Sequence, residues 1–322
     1  MRATESSWES PSESPPESVA VVVVTYNRAA LLSGMLDGLA AQSRAPDAVL
    51  VVDNASTDAT GEVLRERATR GDLPLQVVTP GENLGGAGGF HLGMRRAWEA
   101  GHDRIWLMDD DVVPAPDALE VLLRYDEPCL AATREDLAGR LVEKAALDFD
   151  LANPLAIRPK RATVDERYAT RAAMPELVEL HNVAFEGFLV RRDVIDAIGL
   201  PDPGFFIFYD DVDFALRSRR AGFAVRGVRD AVVVRQLDFD QQHALDTWKG
   251  FYMFRNLFVV HFRYGENVLV RLKPFLLVLA VVVLSPWRGG RAEVANVTRA
   301  IASARRMRAL PAWNRQAVPP AH

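Results

Sequence analysis

The sequence predicts an α/β fold with a mostly parallel central sheet flanked by helices, and three observations carry that expectation. From residue 19 onward, short β-rich runs alternate with amphipathic stretches, the pattern left by repeated strand–helix–strand units. The first run, 19–24, reads VAVVVV, and an unbroken apolar strand suits a position covered on both faces. The early runs lead into polar or acidic residues: Thr25 to Arg28, Asp53, Asn83 and Asp109 to Asp111. In an open α/β sheet ligands bind outside the carboxyl ends of the strands, so a single cleft accounts for all four groups.

The elements follow in order. After the first strand, Tyr26-Asn27-Arg28 turns the chain into a helix over about 29–41, with Leu32, Met35, Leu36 and Leu39 at helical spacing. A second strand, 48–52, ends at Asp53-Asn54, and Thr57 or Asp58 caps a helix that stops near Gly71. A third strand, 75–78, runs into Asn83-Leu84-Gly85-Gly86-Ala87-Gly88-Gly89, read as a flexible loop before a helix that reaches about Ala100. A fourth, 104–108, ends in three aspartates. Segment 137–170 is irregular and mixed in charge and reads as hairpins and loops; a strand near 182–190 and a helix near 193–198 lead to a second acidic motif. The expected division is a disordered tail over 1–18, rich in Ser, Glu and Pro and without a signal-peptide pattern, a catalytic domain over 19–246 and a helical region over 247–322.

With 322 residues, 49% hydrophobic and 25% charged, the chain can bury one large core plus an appendage but not several independent domains. A formal net charge of −5 and a pI near 5.8 provide no global field for nucleic acid, and no nucleic-acid partner is expected. The single cysteine, Cys129, excludes an intramolecular disulfide and a cysteine zinc cluster and suits a reducing compartment.

The triplet Asp109-Asp110-Asp111 directly follows an apolar strand. If that segment stays extended, residues i and i+2 point to one side, so Asp109 and Asp111 converge while Asp110 points elsewhere. Two hard oxygen ligands with an open coordination sphere suit Mg2+ or Mn2+ bridging a diphosphate; a solvated acidic turn is the plainer alternative. Asp53 can accept from a uracil imide or a ribose hydroxyl. Asn83 with the following glycines offers backbone that approaches a nucleotide closely. The loop carries neither G-x-G-x-x-G nor G-x-x-x-x-G-K-[ST], which counts against a dinucleotide dehydrogenase and a phosphate-loop NTPase. The second motif, 205–217, reads FFIFYDDVDFALR. Asp213 and Arg217 fit a structural i,i+4 pair, whereas Asp210 and Asp211 precede the regular helix, where one of them can act as a general base.

Together the TYNR start, the strand ending in Asp53, the N-x-G-G loop, the triplet after a strand and the aromatic-DD-x-D-F-x-x-R segment resemble glycosyltransferase family 2, of GT-A fold, over roughly residues 19–235. More narrowly, the triplet, YDDVDF and WKGFYMFRNLFVVHFRYGEN at 248–267 resemble actinobacterial galactofuranosyltransferases that initiate cell-wall galactan. The resemblance implies an inverting transfer of galactofuranose from UDP-galactofuranose to a rhamnose-containing, polyprenyl-diphosphate-linked acceptor, with Mn2+ or Mg2+ as cofactor. It implies that Asp109 and Asp111 hold the metal and that Thr25, Tyr26, Arg28, Asp53, Asn83, Gly85, Gly86, Asp109 and Asp110 contact the nucleotide sugar. Asp211 is then the base, and Asp210, Glu186 and Trp248 contact the acceptor.

One departure stands out. Relatives often carry a metal-binding histidine some two dozen residues beyond the base, where this chain reads Val233-Val234-Arg235-Gln236-Leu237. Either His243 supplies the third ligand, or water does, or Arg235 neutralises diphosphate charge instead. A rhamnosyltransferase of the same family is the runner-up. From other classes, a nucleotidyltransferase needs a glycine-rich basic loop after the first strand, where Thr25-Tyr26-Asn27-Arg28 stands, and a non-catalytic nucleotide-sugar-binding protein would show neither transfer nor donor hydrolysis with Mn2+.

Segment 275–284, FLLVLAVVVL, is half the length of the about 20 residues a span requires. Arg271 and Lys273 precede it, Trp287, Arg288 and Arg291 follow, and 287–322 holds seven arginines against Glu293 alone. An apolar patch beside a basic tail favours anionic headgroups and predicts peripheral attachment to the cytoplasmic face of the plasma membrane; a buried helix or dimer interface is the alternative. No sequence feature decides for or against a homo-oligomer.

Overall fold

A computed structural model describes residues 17–156, 158–237, 247–285 and 290–309. In chain order the elements are β1 (Val19–Thr25), α1 (Ala29–Ala40), β2 (Ala48–Asp53), α2 (Thr60–Arg70), β3 (Leu75–Val78), α3 (Gly85–Glu99), β4 (Arg104–Asp109), β5 (Val112–Pro114), α4 (Ala118–Leu123), β6 (Cys129–Glu135), β7 (Ala146–Phe149), β8 (Lys160–Thr163), α5 (Val164–Arg167) and β9 (Leu177–Glu179). They continue with β10 (Phe188–Arg191), α6 (Arg192–Ile198), α7 (Asp210–Arg220), β11 (Val225–Arg235), α8 (Trp248–Tyr264), α9 (Val268–Leu284) and α10 (Gly290–Arg306). Most of the strands join one nine-stranded sheet in the order β3-β2-β1-β4-β10-β6-β11-β5, with β9 on β11.

The valines of β1 are buried on both faces, as continuous apolar strands require. Val19, Val21 and Val23 pack with Leu32, Met35, Leu36 and Leu39 of α1 on one side. Ala20, Val22 and Val24 pack with Phe90 and Met94 of α3 and Phe214 of α7 on the other. β1, β2, β3 and β4 run parallel. β10 is antiparallel to both β4 and β6, and β11 is parallel to β6, so β1, β2, β4, β6 and β11 all point their carboxyl ends the same way.

Three local expectations change. The glycines after Asn83 are the opening turns of α3 rather than a free loop, because that helix lies close on β1: a Cβ on Gly89 would sit 2.5 Å from Val24 Cγ1, and one on Gly93 2.3 Å from Val22 Cγ1. Helical glycine costs about 1 kcal/mol relative to alanine, offset here by close helix–strand packing. The second helix has no side-chain N-cap; Thr57 N–H donates instead to Asn27 Oδ1 at 2.7 Å, and Asp58 Oδ1 accepts from Thr60 N at 3.0 Å. The strand expected from 182 shortens to β10, since Asn182 Oδ1 turns to accept from Ala146 N. Segment 137–170 contains the antiparallel ribbon β7–β8 followed by α5. The tail expected to be disordered lies outside the described residues up to 16, while Ser18 N and Oγ donate to Asp103 Oδ2 at 2.8 and 2.7 Å.

Helices α8 and α10 pack on the start of α3 and on the 3-10 turn Pro203–Phe205 through Phe258, Val259, Val297, Ala300, Ala87 and Phe205. The expected apolar run forms the C-terminal part of α9, a 17-residue helix that also takes in Arg271 and Lys273, and Leu269, Leu272, Leu276, Leu279 and Val283 on it are exposed. Among the described residues no helix is long and apolar enough to cross a membrane.

Candidate active site

Five of the parallel strands, β1, β2, β4, β6 and β11, converge their ends as the topology demands. Thr25 is the register partner of Asp53, and Val24 that of Asp109. Arg134, next to last in β6, pairs with Val233, and Arg235 ends β11 opposite Val112. The loop before β10 enters the same edge, with Gly187 N donating to Leu107 O at 2.8 Å, and brings Glu186 beside the end of β4. Five strand ends and one loop therefore share a single rim.

At its centre the acidic triplet does not alternate as an extended segment would. β4 ends at Asp109 and the next two residues turn, so Asp110 and Asp111 both reach one guanidinium. Arg28 Nη1 lies 2.9 Å from Asp110 Oδ1 and 3.0 Å from Asp111 Oδ2. Thr25 Oγ1 donates to Asp110 Oδ2 at 2.7 Å. Asp110 is thus held by both residues that leave β1, while Asp111 Oδ1 is buried without a hydrogen-bond partner. Burial and the neighbouring carboxylates of Asp111, Glu186 and Asp110 hold the Asp109 carboxyl well above the usual range. Burial, with Glu186 adding to it, also raises Asp111 against the pull of Arg28 and Arg235. Crowded carboxylates with raised affinity for positive charge and one unpartnered buried oxygen fit a divalent cation. Among the described residues no three His, Cys, Asp or Glu side chains are grouped as metal ligands, and His243 lies outside those residues.

Glu186 joins this cluster to the second motif. Its side chain, 9% exposed, is held between Arg134 Nη1 at 3.0 Å and Arg235 Nη2 at 3.6 Å. Arg134 also pairs with Glu143 at 2.6 Å. Asp211, in the first turn of α7, stands in the field of the same Glu186 and Arg134 and of Lys160 on β8. Burial pushes its carboxyl up to about 6, assisted by Glu186 and opposed by the Val212 N–H, Lys160 and Arg134. Asp210 differs: it is buried, and desolvation together with the Asp211 charge holds its carboxyl well above the ordinary range. Asp211 is the more open of the two, with Oδ1 accepting from Val212 N at 2.7 Å.

Asp213 is structural, as its spacing suggested. Fully buried, it accepts from Arg217 Nε at 2.9 Å, Arg263 Nη1 at 2.9 Å and Tyr264 Oη at 2.6 Å, so it fastens α8 to α7. The segment between the 3-10 turn and α7 is strained, with φ of 63°, 66° and 67° at Phe206, Phe208 and Tyr209; a bulky residue in that region costs about 1–3 kcal/mol.

The remaining candidates distribute around this rim. Asp53 Oδ1 accepts from Ser56 N at 3.0 Å, and Asn83 Oδ1 from Gly85 N at 2.8 Å. Tyr26 is exposed, and Gly86 opens onto free space, whereas a Cβ on Gly85 would fall 2.1 Å from Phe206 O. Trp248, 57% exposed, begins α8 and meets Phe206 and Tyr252 edge-on, with ring centroids 6.4 and 5.9 Å apart. Sequence reasoning missed Arg134 and Lys160, which sit at the end of a strand and in an irregular stretch with no motif around them. It also missed Asn256, whose signal was legible: a polar pair inside the apolar run FYMFRNLFVV is a buried polar group in need of partners.

A mixed sheet with acidic residues at the carboxyl edge of its parallel strands and a second acidic motif at a helix start defines the GT-A class of glycosyltransferase folds. Solved structures agree: S. aureus TarS residues 1–349 in complex with UDP superposes with a TM-score of 0.55 at 14% identity, covering 94% of this chain and 83% of that one. The mannosyltransferase PcManGT from Pyrobaculum calidifontis, in complex with GDP-Man and Mn2+, gives 0.53 at 22% identity, covering 93% and 78%. The chain belongs to the glycosyltransferase-like family 2, whose profile matches residues 15–249, and it is a glycosyltransferase. Among its relatives, galactofuranosyltransferase GlfT1 of Mycolicibacterium smegmatis is 33% identical over 252 residues, 74% of this chain and 82% of that protein. GlfT1 of Mycobacterium tuberculosis is 34% identical over 254 residues, 74% and 81%.

Proposed function

We propose that this glycosyltransferase is an inverting, divalent-metal-dependent galactofuranosyltransferase. Its donor is UDP-galactofuranose, and its acceptor a rhamnose-containing glycan on a polyprenyl diphosphate, in cell-wall galactan synthesis. The observation that carries the mechanism is Glu186, which acts electrostatically on Asp109 and Asp111 on one side and on Asp211 on the other. The identity with GlfT1 proteins over most of both chains supports the choice of sugar.

On this reading Asp211 takes the proton of an acceptor hydroxyl, the freed oxygen attacks the anomeric carbon, and the bond to the diphosphate breaks on the opposite face. One displacement inverts the centre and releases UDP. A divalent cation held by Asp109 and Asp111, when bound, neutralises charge on the leaving diphosphate. Arg28, half-exposed beside Asp110 and Asp111, approaches the same diphosphate, with Thr25 fixing Asp110. Asp53, Tyr26, Asn83, Gly85 and Gly86 border the nucleoside. Trp248 and the loop before Asp210 border the acceptor, and Glu186 acts through its field. A carboxyl poised near 6 suits a general base at neutral pH.

The C-terminal helices hold the enzyme at the cytoplasmic membrane surface. The exposed apolar face of α9 enters the headgroup region, and the arginines of α10 meet anionic lipid. The deciding experiment is mass spectrometry of products formed from UDP-galactofuranose and UDP-rhamnose with a short lipid-linked rhamnosyl acceptor and Mn2+. A mass gain of one or more hexoses from UDP-galactofuranose supports the assignment. Deoxyhexose addition instead, or no transfer from any UDP-sugar, rejects it.

A further inference from the structure

The segment leading to Asp210 and Asp211 is held in a conformation that its own residues disfavour. Phe206, Phe208 and Tyr209 all have φ between 63° and 67°, and no glycine relieves them. Such strain persists only where the surroundings over-determine it. Here the surroundings are two adjacent residues in the middle of α8. Asn256, fully buried, shares its Nδ2 hydrogens among the carbonyl oxygens of Phe205 at 3.1 Å, Ile207 at 2.7 Å and Phe208 at 2.9 Å. Arg255 Nη2 donates to Gly204 O at 2.7 Å and Phe205 O at 2.6 Å. Its Nε donates to Asn256 Oδ1 at 2.8 Å, which fixes the direction in which the amide faces.

The clamped segment touches both halves of the site. Phe206 O accepts from Ala87 N at 3.1 Å and lies where a side chain on Gly85 would fall. At its other end Tyr209 O accepts from Asp213 N at 2.8 Å, closing the first turn of α7 around Asp210 and Asp211. An ordinary buried asparagine needs its hydrogen bonds satisfied, but nothing requires it to satisfy them on strained backbone next to a base. We propose that Asn256, oriented by Arg255, is a positioning residue for the transfer step: it holds residues 205–209 in the strained form that aims Asp211 into the site. The inference rests on the reading of Asp211 as base.

Asn256→Asp preserves shape but turns a carboxylate oxygen toward three carbonyls, whereas Asn256→Gln keeps the amide donors on a longer stem. In the full-length protein, Asn256→Asp is expected to lower kcat about 100-fold, the penalty of an ångström-scale misplacement, while UDP affinity changes by less than about threefold. Asn256→Gln is expected to recover at least about tenfold of that loss. Thermal unfolding is recorded for both variants, and if the aspartate variant does not fold, Asn256→Gln, expected about tenfold below wild type, carries the kinetic comparison. A folded variant with kcat within about threefold of wild type, or a loss matched by an equal loss of UDP affinity, overturns the proposal. Asp211→Asn measured in parallel separates the two ideas. An inactive Asp211→Asn beside a fully active Asn256→Asp rejects only the positioning role, whereas an active Asp211→Asn rejects the base itself.

Discussion

Replacing Lys160 by methionine tests the electrostatics of the base without touching it. Burial pushes the Asp211 carboxyl up to about 6, so its ionised fraction should rise from about one tenth at pH 5 to about nine tenths at pH 7. The kcat/KM of the native enzyme should climb roughly tenfold across that interval, because this constant reports the free enzyme's base. Lys160 Nζ donates to Lys144 O at 2.7 Å, and its charge is one of the groups that pull the Asp211 carboxyl down. Removing a neighbouring positive charge disfavours the carboxylate, so the acidic limb must move to higher pH. A shift of about one unit, the low end of what a nearby opposite charge supplies, places the midpoint near 7. Activity at pH 7 then falls to about half, while the plateau by pH 9 is retained. The assay is kcat/KM for UDP release between pH 5 and 9 at saturating Mn2+. A midpoint that stays within about 0.2 units of the native value, or moves down, refutes the electrostatic account of Asp211.

Two further outcomes follow from the packing. Asp213→Ala strips the shared carboxylate from the buried guanidiniums of Arg217 and Arg263 and should cost roughly 3–5 kcal/mol. That lowers Tm by roughly 4–7 °C for a chain of this size; a calorimetric Tm within about 2 °C of native would remove its role as the bolt between α7 and α8. Leu276→Glu with Leu279→Glu places two charges on exposed positions of α9. Cosedimentation with phosphatidylglycerol vesicles at low salt should drop severalfold with folding intact, and unchanged binding would move the membrane contact elsewhere.

The sequence carried the sheet because its signals were local and redundant. The valines of β1 required two covered faces, Leu32, Met35, Leu36 and Leu39 marked the buried side of α1, and each polar strand end pointed to the same rim. What stayed hidden depended on tertiary contacts. The glycines of α3 read as a loop because nothing in the sequence reports how near β1 lies, and the departure of Asp110 from strand alternation arises where β4 ends and the chain turns toward Arg28. Arg134 reaches Glu186 through the pairing of β6 with β10, distant in sequence, and Lys160 lies on the separate β7–β8 ribbon, whose placement near Asp211 no local pattern reports. Asn256 was visible as a polar residue in an apolar helix, but the carbonyls it holds, fifty residues earlier, were not.

The central claim is that one carboxylate, Asp211, removes the acceptor proton across from the cluster at Asp109 and Asp111. Asp211→Asn keeps the shape of that side chain and removes its basicity. Single-turnover transfer from UDP-galactofuranose should fall about 10²- to 10⁴-fold, while UDP·Mn2+ affinity by calorimetry stays within about threefold of native. Transfer within about tenfold of native, with binding unchanged, would contradict the account.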